Sequence, residues 1–137
     1  MTLPDKLPIR WMPDLQTAHV GRFNISEQFF LAHHAAHTEG CAAGRDQYAA
    51  LYRFDRNGTL KTHKIIGPLN TVTDDTTRLL LSELGPHEFG DIFIAPFQVT
   101  FDGQTFGLVP DSERGTITLE PGGMITFMEP WDGEYYT

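Results

Sequence analysis

The sequence predicts an α+β fold: a bent antiparallel sheet of about six to eight strands built from successive hairpins, with one main helix at about residues 74–84. Three observations lead there. Turn signals recur about every ten residues, the spacing of short strands. Apolar and polar residues alternate on either side of several of those turns. A single stretch carries a helical period, opened by a capping residue and closed by Gly-Pro. The 137 residues contain no repeat, linker or low-complexity tract, so residues 1–137 are expected to form one domain.

The clearest hairpin spans residues 97–109. Asp102-Gly103 suits a two-residue turn whose central positions both need positive φ. That turn pairs Phe101 with Gln104, Val99 with Phe106 and Phe97 with Leu108, placing Phe97, Val99, Phe106 and Leu108 on one face. Thr100 and Thr105 pair on the other. A second hairpin joins residues 116–120 to 124–128 through Pro121-Gly122-Gly123, pairing Leu119 with Ile125 and Ile117 with Phe127. A third joins 48–54 to 60–66 around Arg56-Asn57-Gly58, where Gly58 can take a left-handed conformation. A fourth joins 17–23 to 28–35 around the polar turn 24–27.

The helix is expected to start from Thr73 as N-cap, with Asp74 and Asp75 in the first turn, where the helix dipole favours anions. Thr77, Leu80, Leu81 and Leu84 recur at helical spacing as its buried stripe. Gly85-Pro86 ends it. Residues 37–46, rich in Gly and Ala, read as a surface loop.

Charge is distributed unevenly. Residues 1–64 carry eight basic and six acidic side chains, net +2; residues 65–137 carry two basic and twelve acidic ones, net −10. An acidic surface repels phosphate, which disfavours nucleic-acid binding, and it steers a basic partner toward the C-terminal half. No apolar run approaches the roughly 20 residues of a membrane-spanning helix, and the first residues lack the hydrophobic stretch of a secretory signal. Cys41 is the only cysteine, which rules out an internal disulfide and fits a reducing, cytoplasmic compartment.

Catalytic and metal-binding patterns are weak. His33, His34, His37 and Cys41 are potential ligands. In a strand, His33 and His37 would lie roughly 13 Å apart. A helix there would make them i, i+4 neighbours suited to zinc. Their spacing matches no standard finger or metalloprotease pattern. Cys41 with His37 as a nucleophile pair would need a lowered thiol pKa and a pocket. Phosphate-binding glycine loops, nucleophile elbows and dinucleotide fingerprints are missing, so no catalytic residue, metal or cofactor is expected.

The C-terminal segment is the strongest binding candidate. Glu129, Asp132 and Glu134 crowd three carboxylates into six residues, and Trp131 and Tyr135 add amphipathic rings of the kind enriched at interfaces. The expected partner contacts are Glu129, Trp131, Asp132 and Tyr135, with Glu134 secondary. In the alternative, Trp131 and Tyr135 plug the edge of the core.

Residues 96–111 (PFQVTFDGQTFGLVPD) and 129–135 (EPWDGEY) also carry a resemblance. With Gly21-Arg22-Phe23, Gln28-Phe29 and the strand end at Phe54-Asp55 before Gly58, they make the chain similar to a family of small bacterial proteins often labelled formate hydrogenlyase regulatory protein. Where that family ends Glu-Tyr-Asp-Thr, this chain has Glu134-Tyr135-Tyr136-Thr137, one carboxylate fewer. The resemblance implies a bacterial origin, a small domain without recognised catalytic residues, and regulation of a transcriptional activator. The residues themselves favour a non-catalytic binding protein of immunity type, whose acidic C-terminal surface neutralises a basic partner such as a toxin. The alternatives are a regulator of an activator or metabolic enzyme, and a small metal-dependent enzyme using His33, His37 and the C-terminal carboxylates.

Overall fold

The computed structural model describes residues 3–14, 18–36, 46–123 and 125–135. Strands β2 (Ala18–Phe23), β3 (Glu27–Ala36), β4 (Asp46–Phe54) and β5 (Leu60–Leu69) form an antiparallel meander, to whose edge β6 (His87–Phe89) adds by pairing with β2. A second sheet, in the order β11-β10-β9-β8, comprises β8 (Gln98–Phe101), β9 (Gln104–Asp111), β10 (Thr116–Glu120) and β11 (Thr126–Met128). The short strands β1 (Leu7–Ile9) and β7 (Ile92–Ile94) pair with each other as a separate ribbon. The α+β class and the antiparallel hairpins are thus as expected, but the single bent sheet of six to eight strands is not. The described residues form three sheets from eleven strands. The additional strands β1, β6 and β7 have three residues each, too few for alternation to register as a signal.

The hairpin registers follow turn and pattern. Asp102 and Gly103 both have positive φ, 55° and 73°, and Val99 faces Phe106 while Thr100 faces Thr105. Ile117 faces Phe127, and Leu119 N donates to Ile125 O at 2.8 Å. Gly58 takes its left-handed conformation at φ 89°. At the tip between β2 and β3, Ser26 N donates to Asn24 O, closing a γ-turn centred on Ile25 at φ 70°. A β-branched residue in that conformation is strained, and this one is fully exposed.

The helix α1 (Asp74–Ser82) is capped by the Thr73 hydroxyl, which accepts from Thr76 N at 3.3 Å. It ends at Ser82, two residues earlier than its apolar pattern, because the next turn tightens: Leu84 N reaches Leu81 O and Gly85 N reaches Ser82 O. Leu80 and Leu84 are buried against Phe29, Leu31, Ala49 and Leu51 on one face of the five-stranded sheet. Burying a side chain such as Leu80 contributes about 1.5–3 kcal/mol.

The opposite face of that sheet meets the four-stranded sheet. Phe30, Ala50, Tyr52 and Phe54 pack there with Phe106, Leu108, Ile117 and Phe127, and Leu7 and Ile94 of the ribbon close the same core. The centres of β3 and β4 are therefore covered on both sides, which explains why they run apolar without alternation. Buried Gln28 ties the sheet to the ribbon. Its Nε2 donates to Phe93 O at 3.0 Å and its Oε1 accepts from Phe93 N at 2.7 Å. Gly21 allows β6 to approach, since a Cβ there would fall 2.0 Å from Glu88 O.

Candidate partner-binding site

The segment after β11 folds back on the end of β1. Trp131 N donates to Met128 O at 3.0 Å, and Trp131 has φ 59°. Asp132 Oδ1 accepts from Glu134 N at 3.1 Å, a local turn of the kind aspartate favours. Arg10, the residue following β1, then fastens the segment. Its backbone N donates to Gly133 O and its Nε to Asp132 O, both at 3.0 Å. Its guanidinium lies 3.7 Å from the Glu134 carboxylate, an exposed pair worth about 0–1 kcal/mol. Gly133 is required twice over: φ is 91°, and a Cβ would sit 2.8 Å from Arg10 Cγ. Gly133→Ala is expected to cost about 1–3 kcal/mol and to loosen the segment, read as a lower melting temperature with faster proteolysis beyond Met128.

The five residues expected as contacts divide into two groups. Glu129, Asp132 and Glu134 are exposed. Tyr135 is only 7% exposed, with its ring 5.1 Å from Phe127, and Trp131 is half-buried against the same core. The two rings therefore brace the segment while the carboxylates face outward. Burial pushes the Tyr135 hydroxyl up to about 12, and the group has no hydrogen-bond partner among the described residues.

Folding the segment onto Arg10 creates a cleft of about 620 Å3 between residues 10–14 on one side and Glu134 and Tyr135 on the other. Trp11 and Met12 are 37% and 40% exposed in its wall. The Trp11 ring stacks on Phe89 at 5.7 Å and 15°, and Trp11 N donates to Asp91 Oδ1 at 2.9 Å. Residues 10–14 were not among the expected contacts. Trp11 and Met12 beside Arg10 carry no period, and only the return of the chain end brings them to the acidic segment.

The histidines do not converge. His33 and His34 are consecutive in β3, so they point to opposite faces. The strand expected over 28–35 is present and runs on to Ala36, and the helical alternative does not occur there, because β3 pairs with β4 from Gln28 to Ala36. His33 Nε2 lies 3.0 Å from Thr77 Oγ1 beside α1. Its pKa is lowered by burial first and by His19 second, with Asp74 opposing. His34 is buried between the sheets, with Nε2 2.9 Å from Tyr52 Oη. His37, Cys41 and most of the 37–46 loop lie outside the described residues. Among the described residues, no group of three or more His, Cys, Asp or Glu side chains is placed to hold a metal ion. Likewise, none of the described helices is long and apolar enough to cross a membrane.

No family model, curated protein or solved structure matches the chain significantly.

Proposed function

We propose that this protein is a non-catalytic binding module that captures a basic protein partner, in the manner of an immunity protein blocking a toxin. One observation carries the reading: exposed Glu134 lines a cleft whose wall exposes Trp11 and Met12, and exposed Glu129 and Asp132 belong to the same short segment. Apolar anchors beside an excess of one sign of charge suit protein recognition, because the charges accelerate and orient the encounter while the anchors supply affinity. The excess of acidic residues after position 64 extends the same field.

The test is affinity capture from a bacterial lysate at low and moderate salt, followed by quantitative binding of the captured protein. A basic protein released by moderate salt is expected. The triple variant Glu129→Gln, Asp132→Asn, Glu134→Gln should bind it about tenfold or more weakly, mainly through slower association. Unchanged affinity in that variant overturns the assignment. Capture of a transcriptional activator or an enzyme subunit would instead support regulation of such a partner.

A further inference from the structure

We propose that the cleft between residues 10–14 and the C-terminal segment seats an arginine side chain carried on an extended segment of the basic partner. This rests on the binding function above and names what enters its cleft.

The shape fits an inserted side chain. A cleft of about 620 Å3 lies within the range of roughly 300–1,000 Å3 typical of ligand sites. Its apolar wall is held in place before any partner arrives. The Trp11 indole is backed by Phe89 at 15° between ring planes, and the Trp11 backbone is fixed by Asp91. A held aromatic plate loses little conformational freedom when something stacks on it.

The charge selects a cation. Asp14 and Glu134 line the cleft, both exposed. Among the described residues, the one lining cation is Arg10, and it is already committed: Nε to Asp132 O, backbone N to Gly133 O, and the guanidinium end near Glu134. One acidic charge in the lining is therefore left without a cation among the described lining residues. Tyr135 also lines the cleft.

Arginine suits these groups better than lysine. A guanidinium is planar, so it stacks on an indole face and still directs several N–H donors at carboxylate oxygens around its rim. An ammonium is a compact point charge that cannot meet a flat ring and a carboxylate in this way.

The test is calorimetric titration of the unsubstituted protein with three short peptides of one sequence, carrying arginine, lysine or citrulline at the same two positions. Saturable binding of the arginine peptide is expected, about tenfold weaker for lysine and undetectable for neutral citrulline. Trp11→Ala, and separately Asp14→Asn with Glu134→Gln, should each weaken the arginine peptide about tenfold, with circular dichroism verifying the fold. Equal binding of the arginine and citrulline peptides, or no saturable binding of arginine, overturns the proposal without relying on any variant. If the arginine peptide fails while neutralising Glu129 and Asp132 still weakens partner capture, only the cleft assignment falls. If the peptide binds but partner capture ignores those charges, the cleft stands and the acidic-face function falls.

Discussion

Phe106→Ala is expected to destabilise the protein by about 3–5 kcal/mol, a large share of the roughly 5–15 kcal/mol that holds a domain of this kind together. Phe106 is fully buried where the two larger sheets meet. Its ring lies 5.1 Å from both His34 and Tyr48 and 5.8 Å from Phe101. Neighbours drawn from β3, β4 and β8 cannot all collapse into the space an alanine would leave, so the cavity persists and its cost adds to the lost transfer energy. Urea unfolding should show a lower midpoint at unchanged slope. Leu79, exposed on α1, is the control: Leu79→Ala should stay within about 0.5 kcal/mol. A loss below about 1 kcal/mol for Phe106→Ala would contradict close packing of the sheets at this point.

Acid should weaken the protein through His34. Burial lowers its pKa from 6.5 to about 4, the Pro121 backbone opposes this in part, and His33 adds slightly to the lowering. Its Nδ1 has no hydrogen-bond partner of normal geometry among the described residues, and its Nε2 meets the equally buried Tyr52 hydroxyl. Between pH 6.5 and 4 the unfolded chain binds a proton that the folded one excludes, so stability falls as pH falls across that window. It is complete above the window and falls no further from this group below it. The size is about 3 kcal/mol, from the conversion of roughly 1.4 kcal/mol per pH unit. His33, whose pKa is also lowered, acts in the same direction. In His34→Gln the amide can still meet Tyr52 but does not titrate. The gap in unfolding free energy between native protein and variant should therefore shrink by about 3 kcal/mol from pH 7 to pH 4. A constant gap would show that the His34 proton is not coupled to folding.

What the sequence by itself determined is local. Asp102-Gly103, Gly58 and the Pro121-Gly122-Gly123 turn specify their hairpins, because positive φ is available to few residues and a two-residue period decides which side chains share a face. Thr73 and the Leu80 stripe specify the helix for the same kind of reason. The contact candidates of the chain end were legible too, since carboxylates and aromatic rings within seven residues are conspicuous in any fold.

Only the tertiary structure decided how these pieces combine. That the strands divide among three sheets depends on which faces meet, and alternation marks a buried face without naming the surface that buries it. Tyr135 became a core residue and Glu134 a cleft residue because Arg10, 123 and 124 positions away in sequence from Gly133 and Glu134, binds that segment through its backbone and guanidinium. The same contact brought Trp11 and Met12 to the site. Hydrogen bonds and packing between distant segments are set by three-dimensional proximity, and no local period or composition encodes them.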